Sequence, residues 1–152
     1  MGTIVGNDAE LLLRVLVAGV LSGLLGWERQ SAGKPAGFRT LLLVGMAACL
    51  FVVAGEAAAL SYPATAASLR IEPFALIQAV AVGIGFLGSG VVFQTRDGTR
   101  VVGLTTAASI WATAAIGLTV GFGRYILAAG TTVLIFVTLR VLRRFDHSHP
   151  HD

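Results

Sequence analysis

Charged side chains within or beside long apolar runs are the residues of this sequence most able to do chemistry. Arg14 lies inside the first apolar run, Glu28 and Arg39 border the gap before the second, and Glu56 lies near the end of the second. A charge in hydrocarbon costs several kcal/mol unless it is paired or reaches the headgroups, so each is a candidate functional residue. Arg14 could reach the headgroups or pair with Glu10, four residues earlier on a helix. A Glu28–Arg39 pair could clamp the first two runs together, as a structural contact or as part of a functional site.

No group of residues in the sequence has the spacing of a catalytic centre. There is no Ser/His/Asp set within the apolar runs, no H-E-x-x-H and no P-loop, so we expect neither enzymatic activity nor a cofactor. The segment 83–88 matches G-x-G-x-x-G, but it lies inside an apolar run rather than after a strand, which argues against nucleotide binding. Its glycines instead indicate a helix that is locally thin or broken. His147, His149 and His151 could capture Zn²⁺ or Ni²⁺, but we interpret 143–152 as a flexible cytoplasmic tail with adventitious affinity.

Composition excludes a single water-soluble domain. Of the 152 residues, 55% are hydrophobic and only 12% are charged, whereas soluble domains are about 45–50% apolar and about 25% charged. A single cysteine, Cys49, excludes a disulfide scaffold. The net charge of +3 comes mainly from basic residues in short gaps between apolar runs. Such residues are typical of orientation signals and headgroup contacts rather than of a nucleic-acid surface. The composition therefore predicts a multi-pass membrane protein.

The apolar runs predict an all-α, polytopic bundle of about five transmembrane helices within residues 1–142. A run of 39 residues, 101–139, would span roughly 58 Å as one helix, about twice the hydrocarbon thickness. It must therefore fold back, and the turn is predicted at Gly121-Phe-Gly-Arg124. Each span must be helical because lipid offers no partner for peptide groups. The predicted spans are Leu11–Trp27, Thr40–Gly55 with an extension towards Leu60, Pro73–Phe93, Val101–Val120 and a short Tyr125–Leu139.

The basic residues predict the orientation of this bundle. With five spans, eight basic residues fall on one side of the membrane and two, Arg70 and Arg124, on the other. Because cytoplasmic loops carry the excess of Lys and Arg, the N-terminus should lie outside and the C-terminus in the cytoplasm. The eight are Arg29, Lys34, Arg39, Arg96, Arg100, Arg140, Arg143 and Arg144.

Small residues recur at helical spacing in three of the spans. Helices in lipid associate through close backbone approach and polar contacts, so these residues predict packing surfaces. The fourth span also carries a row of small and hydroxyl residues at i, i+4 spacing, which could instead line a water-filled path or form a dimer interface. The predicted packing residues are Gly19, Gly23 and Gly26 in the first span, Gly83, Gly85, Gly88 and Gly90 in the third, and Ser109, Thr113, Gly117 and Gly121, which continue from Thr105 in the fourth.

Several motifs together resemble the MgtC/SapB family of bacterial inner-membrane proteins. They are Gly26-Trp-Glu-Arg-Gln30, Pro35-Ala-Gly-Phe-Arg-Thr40, Gly83-Ile-Gly-Phe-Leu-Gly-Ser-Gly90 and Gly103-Leu-Thr-Thr-Ala-Ala-Ser-Ile-Trp111. The resemblance covers about residues 10–142 and implies a compact helical membrane domain. The chain is similar to the short form without the C-terminal soluble domain. It departs from the family pattern at Val102, where the family usually has Arg, and at Leu41, where a polar residue is frequent.

The resemblance also implies a function and a set of site residues. Family members are associated with growth in low magnesium and with virulence. Some are labelled magnesium transporters, although the best-studied branch is more similar to regulators that bind other membrane proteins, including the ATP synthase. We therefore expect a non-enzymatic regulator in the inner membrane whose partners are the lipid bilayer, other membrane proteins and a second copy of itself. The alternative is a small oligomeric Mg²⁺ transporter or channel. The polar positions implied by the family motifs are Glu28, Arg29, Arg39, Thr40, Thr105 and Thr106, which could bind a cation, a headgroup or a partner helix.

Overall fold

The computed structural model describes residues 8–61, 73–96 and 98–146, and within them it contains five α-helices and one short β-hairpin. The prediction of an all-α helical bundle is confirmed. Four helices are long and apolar enough to cross a membrane, and the last adds the shorter apolar segment Tyr125–Val141. The elements are α1 (Asp8–Ser31), α2 (Phe38–Ser61), α3 (Pro73–Val91), β1 (Phe93–Gln94), β2 (Val101–Val102), α4 (Leu104–Gly121) and α5 (Tyr125–Asp146).

Helix boundaries differ from the predicted spans where polar residues continue a helix. α1 extends through the polar residues 28–31, and α5 extends to Asp146, so residues 143–146 of the predicted tail are helical. The tail histidines fall in 147–152, outside the described residues. An apolar run defines what lies in lipid, whereas a helix ends only where its backbone is capped or broken, and this is why the two differ.

The connection between α3 and α4 was not predicted. β1 and β2 pair antiparallel, with Phe93 opposite Val102 and Gln94 opposite Val101. The prediction that the third and fourth spans include Phe93 and Val101 is therefore wrong at those residues. Gly103, at φ 89°, ends the hairpin and precedes α4, and a Cβ there would overlap the Val91 carbonyl oxygen. Only glycine combines that φ with so close a backbone contact.

The glycine-rich part of α3 is a regular helix. α3 runs without interruption from Pro73 to Val91. Of the two alternatives predicted for the glycine-rich segment, a locally thin helix and a broken one, the broken helix is wrong. A break would leave peptide groups unsatisfied in lipid, whereas glycines within a helix keep their backbone hydrogen bonds. The predicted turn at 121–124 is present: the N–H of Phe122 donates to Leu118 O, and Gly123 adopts φ 72°.

The helices alternate in direction around a core formed by α1, α2 and α4. The first turns of α1 meet the last turns of α2 and α4 at one end of the bundle, through Arg14. The last turn of α1 meets the first turn of α4 at the other end, through Arg29 and Thr106. α3 packs mainly on α4, and α5 packs on α1 and α4. We call the end that contains Arg29, Lys34, Arg39, Arg96 and Arg100 the basic end, and the end that contains Glu10 and Glu56 the acidic end.

Candidate functional site at the basic end of the bundle

A buried arginine joins three parts of the fold at the basic end. Arg29, in the last turn of α1, is only 3% exposed. Its Nη2 donates to Thr106 Oγ1 at 2.7 Å and to the carbonyl oxygen of Pro35 at 3.3 Å. Thr106 lies in the first turns of α4 and is itself 3% exposed. Arg29 therefore links α1, the α1–α2 loop and α4 through charge-assisted hydrogen bonds.

Glu28 places a second charge in the same buried region. It is 5% exposed, and its carboxylate interacts electrostatically with the Arg29 guanidinium. Opposite charges that are buried together offset part of each other's desolvation cost, whereas a single buried charge would not be tolerated. The site is thus close to electrically neutral, although it contains two formal charges.

The loop between α1 and α2 holds Pro35 in position. The N–H of Lys34 donates to Arg29 O at 3.0 Å, and the N–H of Phe38 donates to Gln30 Oε1 at 3.2 Å. Together these bonds link the last turn of α1 to the start of α2, so that the Pro35 carbonyl faces Arg29. Proline contributes no N–H of its own, but its carbonyl remains an acceptor.

The six family-motif residues divide into two groups of three. Glu28, Arg29 and Thr106 are buried together, whereas Arg39, Thr40 and Thr105 are exposed at the same end of the bundle. The residue that lies with Glu28 in the buried region is Arg29, its neighbour in sequence, and not Arg39. Helical rotation is the reason, since Arg39 and Thr40 directly follow Phe38 at the start of α2 and both are exposed there.

The row of small and hydroxyl residues on α4 lies in a helix–helix contact. Thr113 is fully buried, and its Oγ1 donates to Ser109 O at 2.7 Å, while Ser109 Oγ donates to Thr105 O at 2.7 Å. A Cβ at Gly121 would lie 2.7 Å from the Cβ of Val52 on α2. The hydroxyl groups of Ser109 and Thr113 are thus satisfied within α4, and Gly117 and Gly121 lie against α2.

Gly45 of α2 is an important packing residue that the sequence analysis missed. A Cβ added to Gly117 would overlap the carbonyl oxygen of Gly45, and a Cβ at Gly45 would overlap Ser22 Oγ of α1. The three core helices therefore come closest at Gly45. The available signal was the pair Gly45-x-x-x-Cys49, a small-residue spacing that permits close backbone approach.

The predicted packing glycines of α1 all lie against α2. A Cβ at Gly19 would approach Met46 Cγ to 3.0 Å, one at Gly23 would approach Phe38 Cε2 to 3.0 Å, and one at Gly26 would approach Phe38 Cα to 2.7 Å. The last contact is the shortest, and because it is made with a backbone atom, a side-chain rotation could not relieve it.

The glycines of α3 behave less uniformly. Gly85 and Gly88 lie beside Trp111 of α4, at Cβ distances of 4.0 and 3.7 Å. A Cβ at Gly83 or Gly90 would meet no described residue within 4 Å, so these two do not pack within the described part of the chain. One side of α3 contacts α4, and the other is exposed.

A second charged group lies at the acidic end. Arg14 Nη2 is 2.9 Å from Glu10 Oε1, as the i, i+4 spacing predicts, and Nη1 is 2.9 Å from Glu56 Oε2. Nη1 also donates to Gly121 O at 3.3 Å. Arg14 therefore connects α1 with the ends of α2 and α4. The contact with Glu56 could not be read from sequence spacing.

Together these features define the class of the protein. It is a multi-pass membrane protein whose core helices pack through small residues and are joined by a buried arginine at one end. Comparison with protein families gives a specific assignment, since a model described as "MgtC family" matches residues 15–148. The chain belongs to the MgtC family.

Individual relatives agree with this assignment. The chain is 37% identical over 139 residues to "Putative magnesium transporter YhiD" of Escherichia coli, covering 90% of this chain and 62% of the relative. It is 39% identical over 152 residues to Protein SrpB of Synechococcus elongatus, covering 93% and 79% respectively. It is 35% identical over 132 residues to Protein MgtC of Salmonella typhimurium, covering 87% and 52%. The chain thus spans about three fifths of YhiD and half of MgtC. No solved structure matches it.

Proposed function

We propose that this protein is a non-enzymatic component of the bacterial inner membrane that acts by binding other membrane proteins, in a process linked to Mg²⁺ homeostasis or to stress and virulence adaptation. The link to magnesium rests on family membership and on the printed name of YhiD. The orientation predicted from the basic residues would place the basic end in the cytoplasm.

The observation that favours binding over transport is the covered row on α4. Ser109, Thr113, Gly117 and Gly121 follow one another from the basic end towards the acidic end. All four are buried, and α2 lies against the two glycines. A transport path needs polar groups that face water along the membrane. Here the hydroxyl groups of Ser109 and Thr113 bond within their own helix, and Glu28, Arg29 and Thr106 are buried.

The basic end offers a surface for a partner. Arg39, Thr40 and Thr105 are exposed there, while the adjacent Arg29 and Thr106 are fixed by their mutual hydrogen bond. Exposed polar groups on helix ends suit recognition of another membrane protein, because a helical backbone has little conformational freedom left to lose on binding.

Cross-linking in native membranes tests this proposal. A photoreactive residue at Arg39 or Thr105 should capture the same membrane protein, identified by mass spectrometry, and Thr40→Trp should lower both yields. A photoreactive residue at Val82, which is 76% exposed on α3, is the control and should not capture it. Recovery of nothing but adducts between copies of this chain would contradict the proposal.

The alternative is a small oligomeric Mg²⁺ transporter or channel, which the printed name of YhiD favours. Purified protein in sealed vesicles that contain a Mg²⁺-sensitive dye distinguishes the two. We expect the rate of Mg²⁺ entry to equal that of protein-free vesicles. A protein-dependent flux that Glu28→Gln abolishes, and that Glu10→Gln at the opposite end leaves intact, would establish transport instead.

A further inference from the structure

An apolar groove runs along the outside of the bundle between α1 and α2. Its volume is about 370 Å³, and every residue that lines it is apolar. Gly19 and Gly23 line it on α1, where the absence of side chains lets Met46 and Phe38 of α2 approach closely. The volume falls within the roughly 300–1,000 Å³ typical of sites for small molecules.

The length and position of the groove match one leaflet of a bilayer. On α1 it extends from Trp27, near the basic end, to Leu16. These residues are eleven positions apart, or about 16 Å along a helix, and half of the hydrocarbon core is about 15 Å thick. Trp27 and Phe38, both exposed, lie at the end of the groove where an interfacial aromatic belt is expected.

Positive charge lies at this same end. Arg39 is on the face of α2 that lines the groove, since it precedes Leu42 by three residues and Met46 by seven. Lys34 is in the short loop that joins the two helices, directly beyond Trp27 and Phe38. Both side chains are exposed. An apolar channel one leaflet long, with two cations at its headgroup end, complements a molecule with an apolar chain and an anionic head.

We infer that the groove between α1 and α2 binds an acyl chain of an anionic phospholipid from the leaflet at the basic end, and that Lys34 and Arg39 bind the phosphate of its headgroup. The apolar lining supplies affinity for any chain, and the two cations supply the preference for negative charge. This site shares Arg39 with the partner surface proposed above, but the groove and Lys34 lie outside that surface. Lipid binding is measured on the purified protein with no partner present, so the two proposals can fail separately.

Native mass spectrometry of the purified protein, titrated with phosphatidylglycerol or phosphatidylcholine of identical chains, tests the inference. We expect phosphatidylglycerol to bind more tightly. Lys34→Gln and Arg39→Gln should each weaken its binding about fivefold, and together about 25-fold, because each basic residue near a membrane surface contributes about that factor. Binding of phosphatidylcholine should weaken much less in these variants, because its choline cation offsets the charge of its phosphate.

Matched controls separate the groove from general membrane charge. Arg96→Gln with Arg100→Gln removes two cations from the same end and should leave phosphatidylglycerol binding unchanged. Val20→Trp should block the groove and weaken binding of both lipids, because Val20 lines it and is 64% exposed. Val82→Trp, on the exposed side of α3, should have no effect.

Three results would overturn the inference. The first is an equal loss of phosphatidylglycerol binding in the Arg96/Arg100 double variant. The second is unchanged lipid binding in Val20→Trp, provided that its buried Cys49 is still protected from thiol reagents and the fold is therefore intact. The third is a cross-link from Val20 to a second copy of the chain, which would show that the groove is a dimer interface.

Discussion

Replacing Gly117 with alanine should destabilise the core of the bundle, because α4 has no room there for another methyl group. The new Cβ would overlap the carbonyl oxygen of Gly45 and lie 3.0 Å from the Cβ of Ala48. The new Cβ is attached directly to the backbone of α4, and the Gly45 carbonyl belongs to the backbone of α2. No side-chain rotation can therefore relieve the strain, and α2 and α4 must separate. Overpacking of this kind costs about 1–3 kcal/mol.

Cys49 provides the assay. It is the only cysteine in the sequence, and it is fully buried one turn after Gly45 on α2. A fluorogenic maleimide can reach its thiol only when the core opens, so the labelling rate in detergent micelles reports the free energy of opening. A loss of about 2 kcal/mol should accelerate labelling about 30-fold.

Gly130→Ala is the matched control, because a Cβ at Gly130 on α5 would meet no described residue within 4 Å. Alanine is favoured over glycine within helices by up to about 1 kcal/mol, so labelling of this variant should be unchanged or slower. If Gly117→Ala labelled Cys49 no faster than Gly130→Ala, the α4 row could not be the closely packed contact described above, and a water-filled path would have to be reconsidered.

Three further substitutions can be followed by the same labelling assay. Gly103→Ala should destabilise the protein by about 1–3 kcal/mol, because φ 89° is strained for alanine and its Cβ would overlap a backbone carbonyl. Gly98→Ala is the control. It should cost less, because its φ is also positive but its Cβ would make no close contact. Thr106→Val removes one hydrogen-bond acceptor of Arg29 and should lower the stability of the protein by about 1.5–3 kcal/mol. The control is Thr105→Val at the neighbouring exposed position, which should change stability by less than about 0.5 kcal/mol. Equal effects of the two substitutions would contradict the assigned hydrogen bond. Arg14→Gln removes two partly exposed ion pairs and should lower the stability of the protein by about 1 kcal/mol or less at low salt. The difference in stability between this variant and the unmodified protein should shrink as salt is added. A difference in stability that does not depend on salt would contradict an electrostatic role.

The two charged groups differ in their exposure. Arg14 at the acidic end contacts carboxylates that are about half exposed, at 55% and 47%. Arg29 at the basic end is almost completely buried. Screening by solvent makes the first a modest stabilising contact, while the second depends on its hydrogen bonds to remain buried at all. Loss of Arg29 should therefore destabilise the protein more than loss of Arg14, because it would leave the buried Glu28 without its opposite charge.

The sequence by itself determined the membrane environment, the helical class and the number and order of the helices. Each of these depends on the length and polarity of consecutive residues, because hydrocarbon requires every peptide group to be bonded within its own helix. The turn at 121–124 and the Arg14–Glu10 pair were predictable for a related reason, since both involve residues only a few positions apart.

Only the tertiary structure decided which residues meet across helices. The pairing of Arg29 with Thr106, the contact of Arg14 with Glu56 and the closest approach at Gly45 join residues far apart in sequence. These contacts depend on the rotation of each helix about its axis and on its neighbours, and an almost uniformly apolar helix gives little periodic signal for either. For the same reason, the sequence could propose six polar residues for one site but could not show that three of them are buried and three exposed.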